Sequence, residues 1–130
     1  MQIEFVIDAS AWIEYLQGTN KGKKIAGIIE KEENICFTAA SAVAEIISKS
    51  TKLNLDCNMA LKAISNLSTI YDITHEIAIS AGQIHSSAKQ HNKDFGMLDA
   101  FAIAIARKLK TKLLTSDYDF KQFKEAVIIE

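Results

Sequence analysis

Apolar positions along the chain follow two rhythms. Short, mainly apolar runs with β-branched residues occur at 3–7, 35–37, 69–73, 112–115 and 126–129, and they predict strands. Between them apolar residues recur every three or four positions, which predicts helices. Trp12, Ile13 and Leu16 mark one helix over 9–16, and Ile25, Ile28 and Ile29 a second over 23–32, with 18–22 as a loop between them. Thr38 suits an N-cap for a helix over 39–50. Met59, Ala60, Ala63, Ile64 and Leu67 form a stripe along 56–67, while Ile77, Ala81, Ile84 and Ala88 do so along a long helix capped by Thr74. Residues 118–123 read as a short helix. The segment 98–109 is apolar nearly all the way round, the mark of a helix covered on several sides. Strands that are plain apolar runs, alternating with helices, predict an α/β domain whose parallel sheet is covered on both faces. Ligands of such sheets bind beyond the carboxyl ends of the strands.

Composition narrows the picture. The chain has 130 residues, 48% of them hydrophobic, and no proline, which suits one domain spanning 1–130 with a real core. No repeat, low-complexity tract or linker-like shift interrupts it. No run is long enough to span a bilayer, and the first residues lack the basic flank and cleavage site of a signal peptide. Cys36 and Cys57 have no partner at metal-ligand spacing, so a disulfide framework or zinc finger is not expected and a reducing cytoplasm is. The net charge of −1 argues against a protein that simply coats nucleic acid, since such binders carry a basic excess. A metal-dependent nuclease escapes that objection, because bound cations become the largest positive charges in its site.

Acidic residues then become the candidates. Asp8 follows the first strand, Asp117 follows the run 112–115 with Asp119 two residues on, and Asp99 opens the apolar helix. Glu45 lies two turns into the helix after 35–37, so in a parallel sheet all of these project toward one edge. Each has a plainer explanation. Asp8 and Asp117 could cap the helices that follow them, and Glu45 could pair with Lys49 one turn on for a few tenths of a kcal/mol. Asp99 fits a plain role least, because a carboxylate beside Met97, Leu98, Phe101 and Ala102 is costly to desolvate without a compensating charge. Oxygen-only donors suit Mg²⁺ or Mn²⁺ rather than zinc or copper, and such an ion can lower the pKa of a bound water.

Four segments together carry a resemblance. Ile7-Asp8-Ala9-Ser10-Ala11-Trp12-Ile13, Ala44-Glu45-Ile46, Leu98-Asp99-Ala100-Phe101-Ala102-Ile103-Ala104 and Leu114-Thr115-Ser116-Asp117-Tyr118-Asp119-Phe120 resemble, in order, spacing and context, the four motifs of the PIN-domain family. They are similar in particular to the short ribonuclease toxins of VapBC toxin–antitoxin modules. That resemblance implies a single PIN-like domain with a five-stranded parallel sheet, a divalent-metal site and endoribonuclease activity on RNA. It maps the catalytic, metal-holding acids onto Asp8, Glu45, Asp99 and Asp117, with Ser10 and Thr115 as polar supports and Asp119 as an auxiliary acid. It also implies a cognate antitoxin and a homodimer, to which Trp12 and Tyr15 could lend spare apolar surface. The alternatives are a housekeeping PIN nuclease in RNA processing, a non-catalytic PIN scaffold, and a flavodoxin- or receiver-like domain that binds Mg²⁺ without cutting. A receiver carries an acidic pair after its first strand and a lysine after its last, and neither is present. His75, His85 and His91 lack paired-ligand spacing, His85 reading as a packing residue, and no serine–histidine or cysteine–histidine nucleophile pair is evident. Lys21, Lys23 and Lys24 read as solvated, and Trp12 and Phe101 as core or interface residues. Gly96 reads as a turn into the apolar helix.

Overall fold

In the computed structural model, which describes residues 2–130, strands and helices alternate along the chain. The strands are β1 (Glu4–Ile7), β2 (Ile35–Ala39), β3 (Thr69–Tyr71), β4 (Lys112–Thr115) and β5 (Ala126–Ile128). The helices are α1 (Ala9–Gln17), α2 (Asn20–Ile29), α3 (Ala40–Lys52), α4 (Cys57–Leu67), α5 (His75–Lys89) and α6 (Met97–Leu109), and a 3₁₀ turn covers Tyr118–Phe120. The strands form one sheet in the order β3-β2-β1-β4-β5, every neighbouring pair parallel. Phe5, Val6 and Ile7 of β1 and Leu113 and Leu114 of β4 are all buried, although successive strand residues point to opposite faces, so both faces are covered. The strand order accounts for this: the chain moves one way through β2 and β3, then doubles back across the sheet to β4 and β5, which puts helices on both faces when crossovers keep their usual right hand. The reversal leaves a crevice between the carboxyl ends of β1 and β4. Among the described residues no helix is long and apolar enough to cross a membrane.

Small residues set the spacing of the layers. Ala100, Ala102, Ala104 and Ala106 of α6 are buried with Ile103 and Ile105, so the middle of α6 is enclosed as its composition predicts, whereas Met97 and Leu98 at its start stay exposed and do not bury Asp99. The start of α2 differs from expectation. Thr19 accepts a hydrogen bond from the Gly22 N–H at 2.9 Å, so the cap falls at Thr19 and the helix begins at Asn20 rather than Lys23. A Cβ at Gly22 would meet the Glu14 carbonyl oxygen at 2.0 Å, so the α1–α2 contact demands a glycine there. The helix stops at Ile29 rather than Glu32; the Asn34 side chain donates to the Ile28 carbonyl at 3.0 Å and satisfies one of its last acceptors.

Thr38 is no helix cap. It lies fully buried in β2, and Ala39 stands at the cap position without a side-chain bond. Its Oγ1 accepts from Trp12 Nε1 at 3.0 Å and lies 2.7 Å from Ser68 Oγ, which itself donates to the Ile64 carbonyl at 2.7 Å. With one proton per hydroxyl, the bonds run in one direction from the indole through Thr38 and Ser68 to α4. Trp12 is therefore wholly buried and has no surface to offer a partner. Tyr15 stacks edge-on against it and donates to Glu30 Oε2 at 2.6 Å.

Candidate active site

Asp8 leaves β1 at the crevice and caps α1, its Oδ2 accepting from the Ser10 N–H at 3.3 Å. The same oxygen accepts from the Ser10 hydroxyl at 2.6 Å and the Thr115 hydroxyl at 2.9 Å. The first residues after β1 and the last residue of β4 thus hold one carboxylate oxygen from two sides. Ser10 Oγ also receives the Ser116 N–H at 3.1 Å, and Thr115 Oγ1 the Asp117 N–H at 3.0 Å. Asp8 Oδ1 has no hydrogen bond among the described residues.

Asp117 caps the 3₁₀ turn, accepting from the Asp119 N–H at 2.8 Å, and Asp119 in turn accepts from Asn92 Nδ2 at 3.1 Å. Asp99 stands at the third position of α6 and reaches back to accept the Gly96 N–H at 2.9 Å. A Cβ on Gly96 would come within 3.3 Å of Asp99 Oδ2, so the missing side chain leaves room for that return. Gly96 has an ordinary negative φ, so close approach rather than a turn explains the glycine. Glu45 comes from the second turn of α3 with no hydrogen bond of its own among the described residues.

Electrostatics tie these acids together. The Glu45 carboxyl is pushed up to about 7, first by burial and then by the charges of Asp8 and Asp99, with Lys49 offsetting part of the rise. Asp99 is pushed up to about 6 by burial against the relief of the Gly96 bond, with Asp8, Asp117 and Asp119 adding repulsion. Asp8 is raised by burial, which outweighs the bonds from Ser10 and Thr115, and Asp117 raises it further. Carboxylates from β1, α3, α6 and the segment after β4 therefore feel one another's charge in one desolvated place, with Asp119 at its margin. Among the described residues no three acidic, histidine or cysteine side chains converge tightly enough to enclose an ion. An open gathering of oxygens still fits Mg²⁺ or Mn²⁺, since Mg²⁺ keeps several waters and takes only one or two carboxylates directly.

Two contributors escape a reading of the sequence. Gly96 follows the cap-to-third-position spacing to Asp99, a signal that was present but read only as a turn. Asn92 holds Asp119 across 27 positions, and nothing local points to it.

The fold has counterparts among known structures. A toxin–antitoxin complex from Klebsiella pneumoniae contains a chain 20% identical to this one, covering 94% of each, with a TM-score of 0.73. VapC20 of Mycobacterium tuberculosis, a sarcin-ricin-loop-cleaving toxin, is 16% identical over 97% of this chain and 99% of its own, with a TM-score of 0.76. VapBC2 from Rickettsia felis, bound to a DNA fragment from its promoter, is 15% identical over 97% of each chain, with a TM-score of 0.71. At these identities the likeness shows the fold. No curated protein sequence matches the chain. The family model for the PIN domain matches residues 5–126, nearly the whole sequence. The chain belongs to the PIN-domain family.

Proposed function

We propose that this protein is a divalent-metal-dependent endoribonuclease acting as the toxin of a toxin–antitoxin pair. The observation that carries the proposal is the meeting of Asp8, Glu45, Asp99 and Asp117, from four separate elements, in one crevice, where the charges of Asp8, Asp99 and Asp117 raise Glu45 and those of Asp8 and Asp117 raise Asp99. A fold gains nothing in stability from that arrangement, and a cation removes its cost. Asp8, Asp99 and Asp117 are the residues to hold Mg²⁺ or Mn²⁺, with Glu45 completing the site. When bound, the ion supplies Lewis acidity that offsets phosphate charge and acidifies water.

The chain's own groups do the rest. Ser10 and Thr115 fix Asp8 through one of its oxygens. The Gly96 N–H fixes Asp99, and the turn at Asp117 is anchored through Asp119 to Asn92. Glu45, with no bond to hold it, is suited to orient the water that attacks the phosphate. The neighbours, several of which were solved as toxin–antitoxin complexes, support an antitoxin protein as one partner, and a second copy of this chain is the other partner of this proposal.

The test is cleavage of single-stranded or looped RNA by purified protein in Mn²⁺ or Mg²⁺, beside Asp99→Asn prepared identically. Parent activity should stop in EDTA, Asp99→Asn should lose orders of magnitude, and products should carry 5′-phosphate and 3′-hydroxyl ends. Equal cleavage by both proteins, or cleavage that survives chelation, would falsify the assignment.

A further inference from the structure

Beside the acids, on the outer side of Asp119, lies a second hollow of about 480 Å³ lined by His91, Asn92, Asp94, Tyr118, Asp119 and Lys121. Asp119 belongs to both places: it lines the hollow and adds to the repulsion on Asp99. Tyr118 is 61% exposed although it directly follows Asp117, between two residues that are both partly covered. A lone exposed ring is ordinary on a protein surface; Tyr118 is set apart by its place beside Asp117 in a rigid, braced turn. Rigid it is: Asp117 caps the turn, Asn92 holds Asp119, and the next residue, Phe120, is fully buried edge-on against Phe95. The Lys121 ammonium stands over one side of the Tyr118 ring, 5.6 Å from its centroid, so a base would stack on the opposite side with the charge close by.

From this geometry we propose that Tyr118 and Lys121 form a positioning platform for the RNA strand, resting on the nuclease reading above. One unpaired base stacks on the Tyr118 ring, and a neighbouring phosphate is met by Lys121. The acids of the crevice repel the RNA backbone until cations bind, and Asp94 repels it at the far side of the hollow, so the strand needs an attractive hold between them. An aromatic ring suits that task because every base has a stackable face, which makes the hold tolerant of sequence while demanding an unpaired nucleotide. The Tyr118 hydroxyl makes no hydrogen bond among the described residues, so the ring and not the oxygen is the working part.

The experiment uses the full chain and single-stranded RNA oligonucleotides randomised around a central 2-aminopurine. In Mn²⁺, Tyr118→Ala should raise KM roughly tenfold or more, the scale of one lost base stack, with little change in kcat. Tyr118→Phe and Tyr118→Trp should behave as the parent, and none of the three should lower the melting temperature. Lys121→Gln should flatten the dependence of log binding constant on log salt by roughly 0.7, one phosphate contact to a single strand. In Ca²⁺, the 2-aminopurine should be quenched by the parent and not by Tyr118→Ala. Parent-like KM and quenching in Tyr118→Ala, or equal damage from Tyr118→Phe, would overturn the platform while leaving the nuclease intact. A parent that cleaves nothing would instead sink the nuclease reading, and the quenching comparison would then decide the platform alone.

Discussion

Replacing Glu45 by glutamine separates two opposite views of that residue by the sign of a stability change. As a helix-surface partner of Lys49, Glu45 would contribute a few tenths of a kcal/mol, and its loss would lower stability by about that much. As a member of the acid crevice it opposes folding. Its carboxyl rises from 4.5 to about 7, mainly through burial and the charges of Asp8 and Asp99. A rise of that size would cost a fully dry carboxylate roughly 3 kcal/mol at high pH. Glu45 keeps partial contact with water, and screening reduces this to roughly 1–2 kcal/mol. Glutamine has nearly the same shape, and no hydrogen bond to Glu45 is lost. Metal-free Glu45→Gln should therefore melt roughly 4–8 °C above the parent at pH 8. The sign of the pH dependence follows from the direction of the shift. A carboxyl whose folded pKa lies above its unfolded one binds a proton more readily in the folded state. Its penalty is complete above about pH 7, shrinks as pH falls, and is gone below about 4.5. The advantage of Glu45→Gln should fade over that window. The assay is thermal denaturation in EDTA at several pH values. A variant that melts lower than the parent at pH 8, or an advantage unchanged at pH 5, would refute the crowding argument.

Other consequences can be measured separately. Saturating Mn²⁺ should raise the melting temperature of the parent, by an amount equivalent to about 2.7 kcal/mol at a hundredfold excess over Kd, and Asp99→Asn should reduce that gain in a thermal-shift titration. Metal-free parent should itself grow less stable as pH rises from about 4 to 7, because Asp99 and Glu45 both titrate higher when folded, and calorimetry in chelator reads this directly. Thr38→Val removes the acceptor of the buried Trp12 N–H and should cost roughly 1–3 kcal/mol in urea denaturation, whereas an N-cap reading would predict damage confined to α3. Gly22→Ala should destabilise by several kcal/mol or abolish soluble expression, since its Cβ would press on backbone rather than on a yielding side chain; a parent-like urea midpoint would contradict the close α1–α2 packing.

What could be read in advance depended on how local each determinant is. Strands and helices were legible because their apolar rhythms persist over several residues, and the enclosed character of α6 followed from its even apolarity. The placing of the acids at one edge was legible because Asp8 and Asp117 follow strands, Asp99 opens a helix and Glu45 lies in the second turn of another, positions whose direction a parallel sheet dictates. Thr38 was misread because a threonine before a helix and a threonine in a buried strand look alike locally, and the deciding partner, Trp12, lies 26 positions away. Trp12 could be read as either a core or an interface residue for the same reason, and its full burial decides for the core. The early start of α2 turned on one side-chain bond from Thr19 competing with a glycine-rich stretch. The exposure of Tyr118 depends on the burial of Phe120 two residues later, and Asn92 meets Asp119 only when the loop before α6 folds over the turn after β4.

Trp12 is the chain's single tryptophan, wholly buried one turn into the helix that Asp8 caps, with its indole N–H given to Thr38. An indole sealed from water emits toward the blue, because no solvent dipoles relax around its excited state, and it shifts red when the fold opens. The protein therefore carries its own optical reporter at the junction of β1, α1 and β2, a few residues from the crevice. Any rearrangement of the Ser10–Asp8 corner on loading with a cation should reach that signal without a label, and iodide should leave it unquenched until the sheet comes apart.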